Sequence, residues 1–167
     1  MKKNFIVRVV CAALLHTAAA ALCAQTATSA SDFTYDINEA GDGVVITSYR
    51  GKSTRVVIPA EIEDMPVKEI GYKAFYGCSG LTAVTFPEGL ESIGGFAFED
   101  CSGLTALTFP KGLKTIGYDA FYGCSNLSSV GLPKTPIDYD EYVFTGCTKL
   151  PLKERKKLRD AGYQDSF

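Results

Sequence analysis

The sequence predicts an α/β repeat solenoid in which each unit contributes one strand and one short helical arc. Three observations predict it. The phrase occupying residues 70–78 returns at Ile93 and at Ile116, a step of 23 residues both times. Leu81, Leu104, Leu127 and Leu150 keep that step, as do Cys78, Cys101, Cys124 and Cys147, and Pro87, Pro110 and Pro133. Within one unit the apolar spacing switches from a helical to a strand period. Repeats of this length mark a solenoid, whose units bury their apolar faces only against their neighbours.

Taken in order, residues 1–24 read as a secretory signal peptide. Lys2, Lys3 and Arg8 precede an apolar run from Val9 to about Leu22, too short to span a bilayer, and small residues follow. Cleavage after Ala24 is expected. The rival is lipidation of Cys23, for which Leu22 is a poor neighbour because a small residue is wanted there. Either route exports the chain to the cell surface or beyond it, with the periplasm as the other destination. Residues 25–32 read as a flexible leader.

Residues 33–69 are expected to form a β-rich N-terminal cap covering the first exposed core face. Strand-like runs at 33–37, 43–49 and 54–59 are separated by turn-forming Asn38-Glu39-Ala40-Gly41-Asp42 and Arg50-Gly51-Lys52-Ser53, which predicts hairpins. The stretch from Pro59 to Ile70 is longer than that from Pro87 to Ile93, so a surface loop is expected around Asp64-Met65-Pro66.

The repeats fill residues 70–150. Ile70, Ala74, Phe75 and Cys78 follow i, i+4, i+5, i+8, which predicts a short helical arc with one buried side. Val84 and Phe86 then alternate with Ala83 and Thr85, the period of a brief strand. Each proline sits just past a strand, where a missing N–H ends the ladder at little cost. Gly71, Gly94 and Gly117 precede the arc and are expected in a turn conformation closed to bulkier residues. In the fourth copy Tyr139, Asp140 and Val143 replace the Ile, Gly and Ala, while Phe144, Cys147 and Leu150 hold their places. Residues 151–167 read as a helical C-terminal cap. Pro151 opens a helix to about Asp160, Leu152, Leu158 and Ala161 face the last repeat, and Lys153, Arg155, Lys156, Lys157 and Arg159 face water.

Leu81-x-x-Val84-x-Phe86 is the L-x-x-L-x-L core of a leucine-rich repeat. With A-F-x-x-C before the leucine and Pro after the strand, the unit resembles the BspA-like (treponemal-type) bacterial leucine-rich repeat over roughly residues 54–150. That resemblance implies a short horseshoe with its strands on the concave side. It also implies a surface or secreted protein, since some members are adhesins for extracellular matrix or host cells.

Removing residues 1–24 takes the net charge from −2 to −5, because Lys2, Lys3 and Arg8 leave without an acid, and it takes His16, the only histidine. A chain without histidine cannot run a Ser-His-Asp or Cys-His mechanism or build a His-ligated zinc site, so no enzyme, cofactor or metal is expected. Cys78, Cys101, Cys124 and Cys147 occupy one place in every copy and read as buried structural core thiols. Export and an even count leave disulfides as the alternative.

Two surfaces are candidates for a protein (or glycan) ligand. The concave strand face presents Arg55, Val57, Ala83, Thr85, Ala106, Thr108, Ser129 and Gly131, mostly small and uncharged. Around the arc, Tyr72, Tyr76, Tyr118, Tyr122 and Tyr142, with Phe96 among them, supply contact area at low entropic cost. Nucleic acid is not an expected partner, the basic helix reads as a solvated face, and a membrane is reached only through a lipidated Cys23. The expected role is an exported, non-enzymatic protein-interaction module with adhesin-like binding of extracellular matrix or host surface protein. The alternative is a periplasmic or envelope structural protein that assembles with other envelope components.

Overall fold

The computed structural model describes residues 26–167. The expected signal peptide, with His16 and Cys23, lies outside the described residues. The chain winds as a β-solenoid of about four turns. A short parallel sheet has the order β10 (Ser129–Gly131), β8 (Ala106–Thr108), β6 (Ala83–Thr85), β3 (Arg55–Val57). Its register repeats the sequence step, with Ala83 opposite Ala106 and Ala106 opposite Ser129. These are the strands expected from the L-x-x-L-x-L core.

A second, longer sheet was not expected. Its order is β1 (Phe33–Ile37), β2 (Val44–Tyr49), β5 (Met65–Ile70), β7 (Ser92–Ile93), β9 (Thr115–Ile116), β11 (Asp138–Tyr139), parallel except between β1 and β2. Ile70, Ile93, Ile116 and Tyr139 stack in register across it. The residues read as the start of a helical arc are therefore strand residues.

The arcs themselves are turns, not helices. Two features of the backbone exclude a helix. Lys73, Phe96, Asp119 and Tyr142, one per turn, take left-handed φ values of 58°, 56°, 53° and 60°, which a right-handed helix cannot contain. The amides of Phe75, Phe98 and Phe121 donate to the carbonyls of Ala97, Ala120 and Val143 in the next turn, at 2.7, 2.8 and 3.0 Å. Only isolated three-residue closures remain, such as Cys78 N–H to the Phe75 carbonyl at 3.1 Å. Among the described residues the helical outer layer of the expected α/β horseshoe is absent, and its place is taken by a third flank laced between turns.

Gly71, Gly94 and Gly117 are required for a reason other than the expected one. Their φ angles are not positive; the limit is the neighbouring turn. A Cβ on Gly117 would lie 2.6 Å from the amide nitrogen of Gly95, and one on Gly94 3.0 Å from the Gly71 carbonyl carbon. Such backbone contacts cannot yield.

One apolar spine runs through the stack. Phe75, Phe98, Phe121 and Phe144 are fully buried, with successive ring centroids 4.7, 5.2 and 5.7 Å apart and planes within 13°. Tyr49 extends it below Phe75 at 5.2 Å, and Tyr163 closes it edge-on to Phe144 at 5.3 Å. Spacing near the strand separation lets rings on successive turns stack continuously. Tyr139 breaks the pattern, because its hydroxyl is buried without a hydrogen-bond partner where the earlier turns carry isoleucine.

The ends are covered by different means. At the N-terminus β1 and β2 form the expected hairpin, but β3 joins the short sheet instead of a second hairpin. The loop expected around Asp64 is a tight hairpin between β4 (Glu61–Ile62) and β5, with Glu63 and Asp64 both at positive φ, and Met65 and Pro66 already lie in β5. Thr28, in the expected leader, exchanges two hydrogen bonds with Val57 along the outer edge of β3, and Ala30–Asp32 forms a single 3-10 turn.

At the C-terminus a single helix, α1 (Leu152–Asp160), follows Pro151. Leu158 is buried, but Leu152 is exposed and does not face the repeats. A Glu154 carboxylate oxygen accepts the Val130 amide at 3.1 Å and so closes the edge of β10. The segment after the helix covers the last turn, since the Phe144 amide donates to Tyr163 Oη and the Tyr142 amide to an Asp165 carboxylate oxygen. Arg155 and Arg159 donate to the carbonyls of Thr148, Leu150, Gln164 and Asp165 and pack on Phe167, so these two are structural cations as well as surface ones.

Candidate functional site

The outer face of the short sheet presents Arg55, Thr85, Ala106, Thr108 and Ser129 exposed, with Val57, Ala83 and Gly131 half-buried. It lacks large apolar side chains and opposed charges. Beside it the hydroxyls of Thr82, Thr105 and Ser128 each donate to a carbonyl one turn below, at 2.9, 3.3 and 3.1 Å. This ladder occupies polar groups that would otherwise be free for a ligand.

The turn flank gathers the aromatic candidates. Tyr72, Tyr76, Tyr118, Tyr122 and Tyr142 are 40–57% exposed, while Phe96 is half-buried between Tyr72 and Tyr118, with ring centroids 5.6 and 4.7 Å away in edge-on geometry. Gly95 makes room for this arrangement, because a Cβ there would come within 2.8 Å of the Tyr118 ring. The flank is held by the turn-to-turn hydrogen bonds described above, so the rings stand on a rigid base and present area at low entropic cost. Lys73 was not a candidate in the sequence. Its ammonium lies 5.4, 4.9 and 5.1 Å from the ring centroids of Tyr72, Tyr76 and Phe96, in cation–π range of all three.

The same flank carries Glu99, Asp100 and Asp119. Burial, then the charges of Asp100 and Asp119, hold the Glu99 carboxyl above the usual carboxylate range, and burial does the same for Asp119. Across the long sheet the pattern differs. Asp42, Lys68, Glu91 and Lys114 alternate in sign on adjoining turns, with Lys68 to Asp42 at 2.5 Å, Lys68 to Glu91 at 3.5 Å and Lys114 paired to Glu91. Beside them Ser92, Gly94, Thr115, Gly117 and Asp138 line a shallow depression. None of these positions was singled out as a binding site; Gly94, Gly117 and Asp42 were noted only as turn residues, because the sheet that aligns them was not expected. Their recurrence at the 23-residue step was the available signal.

The thiols of Cys78, Cys101, Cys124 and Cys147 are free. Cys101, Cys124 and Cys147 are fully buried, and each Sγ donates to the carbonyl of Phe75, Phe98 or Phe121 one turn earlier, at 3.1, 3.2 and 3.3 Å. Burial pushes the Cys101 and Cys147 thiols up to about 12 and raises Cys124 and half-buried Cys78 as well. A raised pKa suppresses the thiolate, so these groups act as packing and as ties between turns. Among the described residues no cluster of three or more metal-ligating side chains forms, and no helix is long and apolar enough to cross a membrane.

No curated protein matches the chain significantly. Solved structures do. A leucine-rich repeat protein from Bacteroides capillosus is 28% identical, with a TM-score of 0.65 over 74% of this chain and 93% of its own. A leucine-rich cell surface protein from Faecalibacterium prausnitzii is 29% identical, with a TM-score of 0.63 over 76% of this chain and 36% of its own. The family described as the BspA type leucine rich repeat region matches residues 57–155 in six copies, more than half of the sequence. Those boundaries run from β3 to the capping helix, the span over which strands, phenylalanines and thiols keep one register, and the chain accordingly belongs to the BspA-type leucine-rich repeat family.

Proposed function

We propose that this chain is an exported, non-enzymatic interaction module that binds a protein, or a glycan, at or beyond the cell surface, in the manner of an adhesin. The observation that carries the reading is the turn flank. Five exposed tyrosines on one rigid face make a contact surface of the composition that interfaces favour. The cell surface description of the F. prausnitzii relative supports the location, as does the signal-like segment at residues 1–24. Membership of a family of interaction modules supports the non-enzymatic role.

The test is saturable binding of the purified protein to immobilised extracellular-matrix and host-cell surface proteins. Changing Tyr72, Tyr76, Tyr118 and Tyr122 together to alanine is expected to weaken it strongly, while Thr85→Ala and Thr108→Ala on the short sheet leave it unchanged. Absence of binding to any matrix or surface component, or loss on the sheet variants alone, overturns the reading. Retention of the native chain in the periplasm would favour an envelope structural role instead.

A further inference from the structure

The turn flank contains the same motif twice, two turns apart, with one position inverted in charge. Tyr72-Lys73-x-x-Tyr76 becomes Tyr118-Asp119-x-x-Tyr122. The backbones match, since Lys73 and Asp119 are both left-handed at φ 58° and 53°. In the first copy the chain supplies its own cation, with the Lys73 ammonium over Tyr72, Tyr76 and Phe96. In the second an acid stands in that place, and among the described residues no cation forms an ion pair with it. Among the described residues, none of the ion pairs involves Glu99, Asp100 or Asp119, although Asp42, Glu91, Glu154 and Asp160 are all paired. Arg155 and Arg159, at the C-terminal end, are committed to backbone carbonyls and Phe167.

The three acids outside these ion pairs lie together. The Asp100 amide donates to the Tyr122 carbonyl at 2.8 Å, and one Asp100 carboxylate oxygen occupies the space that a Cβ on Gly123 would take. Glu99 feels the charges of Asp100 and Asp119 and, less strongly, the opposing charge of Lys73. Partly buried like charges repel one another, and an added cation removes that repulsion while gaining charge-assisted hydrogen bonds and ring contacts.

Resting on the interaction reading above, we propose that Tyr118, Tyr122 and Asp119, with Glu99 and Asp100 beside them, seat a lysine or arginine side chain from a basic segment of the partner protein. The site is completed by the partner's cation as the Tyr72–Tyr76 site is completed by Lys73. Charge complementarity selects a cationic peptide segment over an acidic one, and it gives the association a steep salt dependence.

The test uses the purified protein and a fluorescent oligolysine peptide, read by anisotropy at low and at physiological salt, with an oligoglutamate peptide as control. Saturable oligolysine binding that weakens with salt is expected, and none to oligoglutamate. Tyr118→Ala and Tyr122→Ala should each weaken binding about 2- to 5-fold, the size of an exposed cation–π contact. Asp119→Lys installs the chain's own cation in a backbone conformation that Lys73 already tolerates, and should weaken binding by at least about tenfold through like-charge contact. Should that variant fail to fold, Asp119→Asn carries the test with a smaller loss in the same direction. Asp64→Asn, in the β4–β5 turn, should change nothing. Wild-type affinity in Asp119→Lys, or equal losses from Asp64→Asn, would overturn the proposal. Matrix binding that survives Asp119→Lys but fails in the four-tyrosine variant would overturn this inference and leave the interaction reading intact.

Discussion

Replacing Phe98 by alanine probes the stack where it is most constrained. The ring is fully buried, stacked between Phe75 at 4.7 Å and Phe121 at 5.2 Å, and met edge-on by Phe86 at 5.8 Å. Buried Phe→Ala changes cost about 3–5 kcal/mol, within which each lost aromatic pair contributes roughly 0.5–1.5 kcal/mol. Collapse around the cavity is resisted because the Phe98 amide and carbonyl are tied to Ala120 and to the Cys124 thiol in the next turn. The upper half of the range is therefore expected, about 4 kcal/mol, a large share of the roughly 5–15 kcal/mol that holds a domain folded. In urea, with a slope near about 2 kcal/mol per molar, the midpoint should fall by about 2 M at unchanged slope. Phe96→Ala, two residues earlier and half-buried on the flank, should cost less than about 1 kcal/mol. A Phe98→Ala loss below about 1.5 kcal/mol, or a Phe96→Ala loss as large, would refute the shared spine.

Three other outcomes follow from the packing. With residues 1–24 removed, thiol reagent near pH 8 should leave Cys101, Cys124 and Cys147 unmodified in the native protein and react slowly at most with Cys78, while all four react in denaturant; blocked thiols in denaturant would indicate disulfides instead. Gly117→Ala, whose Cβ meets backbone of the preceding turn at 2.6 Å, should destabilise by at least about 2 kcal/mol, whereas Gly80→Ala, with nothing within 4 Å, should stay within about 0.5 kcal/mol in the same melts. Tyr139→Phe deletes a buried hydroxyl that has no partner and should raise stability by about 1 kcal/mol, so a loss of that size would mean the hydroxyl is satisfied after all.

The strands of the short sheet were legible because alternation at Ala83-Val84-Thr85-Phe86 has only one structural reading, and the step of 23 residues set the turn-to-turn register before any contact was known. The long sheet was legible only in its N-terminal hairpin, β1 and β2. Ser92-Ile93 and Thr115-Ile116 are two-residue strands, too short to show a period of two, and the spacing of Ile70, Ala74, Phe75 and Cys78 imitates one face of a helix. What breaks that helix is a left-handed residue at Lys73, Phe96, Asp119 and Tyr142, four side chains with no common chemistry and so no sequence signature. The tyrosines were legible as exposed because they fall between the apolar landmarks. The charge inversion from Lys73 to Asp119 was present in the sequence, but it acquires meaning only once the two turns share a backbone. Tyr163, fully buried, was missed because it follows the helix stop and carries no periodicity.

The turn flank decides whether this is a β-solenoid laced on three sides or a strand-and-helix repeat. Hydrogen-bond scalar couplings measured on isotope-labelled protein address it directly. The structure predicts a coupling from the Phe98 amide nitrogen to the Ala120 carbonyl carbon, with equivalents from Phe75 to Ala97 and from Phe121 to Val143. A coupling from Phe98 to Gly94, four residues back in the same turn, would instead place these residues in a helix and contradict the account.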